Sequence, residues 1–337
     1  MAEGDTILRA KNRLADALVG QSVAVTAPNP RGRAAGVERL DGRTLAGVGA
    51  HGKHLLLDFG DLVLHSHLGM SGGWHVYPRG ARWRRPRSSA WAVLGGAEQD
   101  AVQFGGPTLR VLPASRVAID PQLARLGPDI LAPDLDLDAL LASFRAADQT
   151  RALGDALLDQ RLTAGIGNIF KSEACFAAKI DPWRPLAELT DAELRAVLEA
   201  AREQMLAAVT SGGRHRFAVY KHRGTCVRCR GTVRHGGQGD ANRTPWWCER
   251  CPVCSAAGAG LAPAPVDGRD GAGLGFSEAA RAGCGRLRDA RDGSLCGGRN
   301  AGTGALREER CKGRAPRGKA IRGTGSFGEE ASRDGRP

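Results

Sequence analysis

The chain has 337 residues, a formal net charge of +12, and 42% hydrophobic and 25% charged residues. That length leaves room for two or three compact units, each with its own core. No window approaches the roughly 20 consecutive apolar residues of a spanning helix, and the N-terminus lacks the charged-then-apolar pattern of a secretory signal. The expectation is therefore a soluble, cytoplasmic protein with no membrane partner, whose charge suits a polyanion.

The first predicted helix covers residues 5–20. Asp5 or Thr6 can cap it, Ile7, Leu14 and Leu18 fall near one face, and Gly20 ends it. Ahead of it, the small Ala2 favours removal of Met1, which leaves a free α-amine with a pKa of about 8. Such an amine is partly neutral near physiological pH and can attack an aldehyde carbon. Glu3 beside it can act as acid or base. On composition alone, these residues read equally as an ordinary terminus.

Residues 21–112 carry short apolar runs punctuated by Gly, Asp and Pro, the pattern of an all-β sandwich or barrel. Lys53 lies at a turn between such runs, either as a solvated turn lysine or as part of a site. Met70 lies in a Gly-flanked loop. It reads as a core methionine or as an apolar wedge for a vacated base stack.

After residue 127 the pattern becomes helical, with helices predicted over 135–147, 151–163, 168–178 and 191–209. Between the second and third of these lies Gly165-Ile166-Gly167-Asn168, where glycine permits close backbone approach. Asn168 starts the third helix, where free N–H groups and the helix dipole favour an anion. Its amide can donate to phosphate, with Lys171 one turn on adding charge. The competing reading is a plain capped turn with Asn168 as the cap.

A basic connector over 212–224 leads to Cys226-Val-Arg-Cys229 and Cys248-Glu-Arg-Cys251. Two such knuckles give the four-sulfur set of one closed, structural zinc ion. Cys254 makes a rival pair with Cys251 that fits the symmetry less well. Arg243, between the knuckles, can present its charge to a phosphate or simply keep a hairpin soluble. From 254 to 337 the Gly-, Ala- and Arg-rich tail has too few large apolar residues for a core and is expected to be disordered.

The ordered set of an N-terminal x-E-G with a following helix, then GKHLL, HLGMSG, LLDQ with GIGN, and finally four cysteines resembles the formamidopyrimidine-DNA glycosylase/endonuclease VIII family over roughly residues 1–252. The wording of these motifs is similar to the endonuclease VIII-like branch. The resemblance implies an α+β multidomain chain: an N-terminal β-sandwich over 1–120, a helix-two-turn-helix domain over 130–212, a zinc finger over 221–253 and the tail. It also implies a bacterial, nucleoid-associated, monomeric repair enzyme that acts on damaged double-stranded DNA. The damaged nucleotide would be flipped out of the duplex. Ala2 would attack C1′, with Glu3 as acid/base and Lys53 on a phosphate near the lesion. Met70 would fill the vacated gap, and Asn168 and Arg243 would hold phosphates. Base removal, pyrimidines foremost, and strand scission by β- or β,δ-elimination would follow. Three departures stand out: Ala2 where the family usually has proline, Thr6 where many members have glutamate, and no glycine after Tyr220. With Ala2, a monofunctional glycosylase or a binder of damaged DNA without catalysis stays open.

Overall fold

The computed structural model describes residues 2–214, 216–222, 224–239 and 242–252; the tail from residue 254, Cys254 included, lies outside the described residues. Helix α1 (Gly4–Leu18) buries Ile7, Leu14 and Leu18 completely along one face. Its N-cap is Glu3, not Asp5 or Thr6, and the Glu3 side chain makes no capping bond to its own helix. The physical reason lies elsewhere in the fold, where that carboxylate is already engaged.

Two four-stranded antiparallel sheets form a sandwich. One has the order β2 (Gly47–His51), β3 (His54–Asp58), β4 (Leu62–His67), β8 (Thr108–Pro113). The other has the order β1 (Ala24–Thr26), β6 (Ala90–Gly95), β7 (Gln99–Phe104), β5 (Gly73–Pro78). Alternation selects the inner faces. Leu55 and Leu57 of β3 point into the core with Leu64, Leu94, Ala101 and Trp74. Each fully buried leucine of this kind contributes roughly 1.5–3 kcal/mol through removal from water. The second sheet is covered on its outer face too: Trp83, from the β5–β6 connection, closes over Val93, Val102 and Phe104.

A short helix, α2 (Pro30–Ala34), precedes β2. Beyond the sandwich come α3 (Leu137–Ala146), α4 (Leu153–Ala156), α5 (Asn168–Ala178) and α6 (Asp191–Thr210). Asp136 caps α3, and Thr190 with Glu193 forms a capping box on α6. The helix expected over 151–163 stops at Ala156. Asp159 accepts from the Arg161 N–H, and Gln160 accepts from the Gly165 N–H while donating to the Leu158 and Ile166 carbonyls. These local side-chain bonds replace the helical ladder. Phe144, Leu157, Ile166, Phe170 and Leu198 make a second core.

Helix α1 joins the two cores, since Leu8 packs against the helical one. A further small cluster of Val219, Val233 and three cysteines lies under a two-stranded ribbon of β9 (Val233–His235) and β10 (Trp246–Cys248). Among the described residues, no helix is long and apolar enough to cross a membrane.

Candidate active site and metal centre

The start of α5 is the focus of the site. Its free N–H groups meet the Glu3 carboxylate, which accepts from Gly167 at 3.1 Å, Ile169 at 2.8 Å and Phe170 at 3.2 Å. Such a terminus favours an anion through both its unpaired donors and its dipole. Gly167 has extended backbone, so its glycine serves space, not conformation: a Cβ there would overlap the Glu3 carboxyl carbon. Glu3 is 1% exposed. Burial pushes its pKa above the ordinary carboxyl value and outweighs the helical N–H bonds and the Lys53 charge, which pull it down. The result is a carboxyl group that takes up a proton more readily than an exposed one.

The Ala2 nitrogen donates to the Gly69 carbonyl at 3.1 Å, and the Gly4 N–H donates to Gly165 at 3.0 Å. The N-terminal segment is thus threaded between the Met70 loop and the glycine turn before α5. The Met70 loop is held in turn by the Gly69 N–H, which donates to His67 Nδ1 at 3.2 Å. Met70 itself is 72% exposed, so it is not a core methionine.

Lys53 follows Gly52 in the tight β2–β3 hairpin, where Gly52 has a φ of +57°. The hairpin tip is pinned to the helical half at two points. The Gly52 N–H donates to Asp129 Oδ2 at 2.8 Å, and His51 Nε2 lies 2.9 Å from the Gly127 carbonyl. A side chain at Gly52 would press on Ala164 and Gly165. Lys53 is half-buried, and burial lowers its pKa to about 8; the Glu3 charge raises it and Arg243 lowers it further. Glu3, Lys53 and Arg243 therefore share one electrostatic neighbourhood.

Asn168 is the first residue of α5, with Gly167 as the cap. Its Nδ2 donates to the Thr244 carbonyl at 2.7 Å and so ties α5 to the ribbon, while its buried Oδ1 has no partner among the described residues. Lys171 departs from expectation. It is fully buried, with Nζ 3.5 Å from Gln238 Oε1, and burial lowers its pKa to about 8. The α5 face that carries it turns under the Gln238–Arg243 backbone pair, not to the surface. Arg243 is exposed at that pair.

Sequence reasoning missed Glu173, whose buried carboxylate accepts from the Ala218, Val219 and Tyr220 N–H groups and so anchors the connector to the ribbon. A charged residue at a core phase of α5 was the available signal. Asp129 and Gln238 carried no signal of their own.

The four cysteine sulfurs of residues 226, 229, 248 and 251 lie within 4.8 Å of one another. Cys226 and Cys251 are 3.5 Å apart, and Cys229 and Cys248 are 3.4 Å apart. Tetrahedral zinc–thiolate bonds of about 2.3 Å place sulfurs about 3.8 Å apart, so the set fits such an ion. The Arg228 and Gly231 N–H groups donate to the Cys226 and Cys229 sulfurs, which suits thiolates.

Comparison with known proteins agrees with this geometry. Residues 1–105 match the formamidopyrimidine-DNA glycosylase N-terminal domain, and residues 126–218 match the helix-two-turn-helix domain of the same enzymes. A probable endonuclease 8 2 of Streptomyces coelicolor is 40% identical over 284 residues, covering 80% of this chain and 98% of that protein. A DNA-(apurinic or apyrimidinic site) lyase of Mycolicibacterium smegmatis is 34% identical over 270 residues, covering 76% and 100%. In fold, the chain is similar to the Lactococcus lactis formamidopyrimidine-DNA glycosylase bound to DNA with an abasic site. That likeness has a TM-score of 0.64 at 23% identity and covers 75% of this chain and 100% of that one.

The burial of Lys171 has a measurable cost. A lysine pKa lowered from 10.5 to about 8 penalises folding fully below about pH 8, and the penalty is relieved as pH rises to the unfolded value. Lys171→Met is expected to raise stability by roughly 1–3 kcal/mol at about pH 7. Urea melts across pH should show that gain shrinking between about 8 and 10.5. A gain independent of pH would mean that Lys171 is not a buried cation.

Proposed function

The chain belongs to the formamidopyrimidine-DNA glycosylase/endonuclease VIII family and is a DNA glycosylase/AP lyase of base excision repair, and from this we propose that it removes oxidised bases, pyrimidines foremost, from duplex DNA through a Schiff base on Ala2. One observation carries the reading: the Glu3 carboxylate, seated on α5, adjoins the residue whose nitrogen meets the Met70 loop.

With Met1 removed, the Ala2 amine attacks C1′ of the flipped nucleotide. The C1′–base bond breaks, and the base leaves with a proton. Glu3 moves protons at the sugar, a task that suits a buried carboxyl group with a raised pKa. The C1′–O4′ bond then breaks as O4′ takes up a proton, which opens the sugar to a protonated imine between C1′ and the Ala2 nitrogen, and loss of a C2′ proton from that imine expels the 3′ phosphate. A primary amine yields an imine that has to hold its proton to act as electron sink, so the proton economy around Glu3 weighs more here than beside a proline.

Lys53, fixed by the pinned hairpin, holds the phosphate beside the lesion, and the exposed Met70 fills the gap in the stack. Arg243 and the remaining Nδ2 hydrogen of Asn168 hold further phosphates, while Lys171 lies buried beneath them and makes no phosphate contact. The four cysteines hold one structural zinc, which keeps Thr244 and Arg243 in place at α5. The sandwich, helical and ribbon limits of 1–120, 130–212 and 221–253 fit this division of labour. A second reading, a monofunctional glycosylase or a binder without catalysis, rests on Ala2 alone. Thr6 adds nothing to it, because its hydroxyl is taken up by Asp5 and Arg9.

Borohydride trapping on duplexes with an abasic site or an oxidised pyrimidine tests the nucleophile. The expected adduct maps to Ala2. DNA binding without an adduct, in protein shown to lack Met1, favours the second reading.

Glu3→Gln is expected to slow base release by about 10²–10⁴-fold with DNA binding retained. Gly167→Ala should approach that loss by displacing the carboxylate, and unaltered single-turnover rates in both variants would remove Glu3 from the chemistry.

Chelation of the metal should melt the ribbon and weaken DNA affinity while the sandwich stays folded. Full affinity in the metal-free protein would separate the cysteine module from DNA binding.

A further inference from the structure

The connection from β5 to β6 has no part in the site described above, yet it is the most basic stretch among the described residues. Between Pro78 and Ala97 there is no acidic residue, while Arg79, Arg82, Arg84, Arg85 and Arg87 crowd into its first half. All five are exposed. The ion pairs of the described residues involve other arginines, so among the described residues no carboxylate pairs with the guanidinium groups of this strap.

The strap is built, not loose. Trp83 is buried against the outer face of the sheet, stacked on Tyr77 at 6.1 Å and edge-on to Phe104 at 6.3 Å. The Arg84 N–H donates to the Tyr77 hydroxyl. Arg87 lies 4.3 Å over the Trp83 ring and Arg85 lies 5.5 Å over Phe104. A guanidinium stacked on a ring keeps its N–H groups in plane and free to donate at the edge, the arrangement that suits phosphate oxygens.

The strap is also continuous with the Met70 loop. Phe104, under Arg85, leads into Gly105-Gly106-Pro107. There a side chain at Gly72 would meet Gly106 Cα at 2.9 Å, and one at Gly69 would meet Pro107 Cδ at 2.7 Å. His75, which follows the loop on β5, lies 5.7 Å from Phe104. Its pKa is lowered by burial and then by Arg85, Arg84 and Arg13 of α1, so the positive field runs back toward the N-terminal helix.

We infer that the Arg82–Arg87 strap is a second phosphate-binding surface, which grips the backbone of the duplex arm on the Met70 side, beyond the lesion. The inference rests on the reading of the chain as a DNA-repair enzyme and adds a contact outside the reacting nucleotide. Its function is grip and register along the duplex, not chemistry at the sugar.

The test uses the full chain and duplexes with a central, stable abasic-site analogue, either with both arms long or with one arm cut to half a helical turn. Binding is read by anisotropy across a salt series. Among the described residues, the Arg82 and Arg84 guanidinium groups lie over no ring, so Arg82→Gln/Arg84→Gln leaves the aromatic mount intact. That variant is expected to lower the salt slope by about 1–2, one phosphate being worth about 0.9. It should also lose the penalty that the wild type shows when one particular arm is shortened. An Arg82→Lys/Arg84→Lys variant should keep the slope. Single-turnover base release at saturating protein, read on matching duplexes that carry an oxidised pyrimidine in place of the analogue, should be unchanged throughout. An unaltered slope in the glutamine variant, or equal arm dependence in variant and wild type, overturns the inference. Absence of base release by the wild type would fault the enzymatic reading and leave the binding result standing.

Discussion

The seat of Glu3 on the first turn of α5 is the constraint on which the rest of the site depends. A carboxylate almost wholly removed from water is costly unless its oxygens are met, and here three backbone donors meet them. Charge-assisted bonds of this kind are each worth about 1.5–3 kcal/mol net. They hold the third residue of the chain against residues 167–170 and so fasten the N-terminus to the helical half. The bonds nonetheless fall short of the desolvation, because the pKa remains raised. This incomplete compensation is what gives the group an acid/base range that a well-solvated glutamate lacks.

Close approach of backbones makes the seat possible. Gly4, Gly52, Gly165 and Gly167 lie where the N-terminal segment, the β2–β3 hairpin and the turn before α5 converge; a methyl group would strike a neighbour at Gly52 or Gly167 and crowd one at Gly4 or Gly165. Asp129 completes the junction by accepting from the Gly52 and Leu131 N–H groups at once. The hairpin that carries Lys53 therefore takes its position from the helical half as well as from its own sheet. The N-terminal segment that bears Ala2 and Glu3 and the hairpin that bears Lys53 become one neighbourhood because glycine backbone lets them approach the turn before α5.

Much of this was legible in the sequence, for identifiable reasons. The apolar period of residues 7–18, the alternation through 21–112 and the spacing of the four cysteines are local patterns, and each yielded its element. Met70 was legible only through the motif around it, since composition favoured the core and the loop carries it outward. Lys171 misled, because one turn beyond an anion-binding terminus a lysine reads as added charge. Its true environment is set by Gln238, 67 residues away, which closes over it. The helix expected over 151–163 failed for a related reason: Asp159 and Gln160 spend their side chains on nearby backbone. Glu173 and Asp129 act through partners far along the chain, and no window of sequence contains both ends of such a bond.

Helix α5 carries more than one burden. Its first turn receives Glu3, Asn168 ties it to Thr244, Ser172 accepts from the Trp246 N–H, and Glu173 gathers three N–H groups of the connector. Eleven residues thus serve the carboxyl group, the ribbon and the connector together. Effects of substitutions in such a shared network are not additive. An evolving lineage consequently has little latitude along this helix, because a change that suits one neighbour disturbs the others. The arginine strap rests on a single sheet face and owes nothing to α5. Grip on the duplex can drift there, residue by residue, while the chemistry stays where it is.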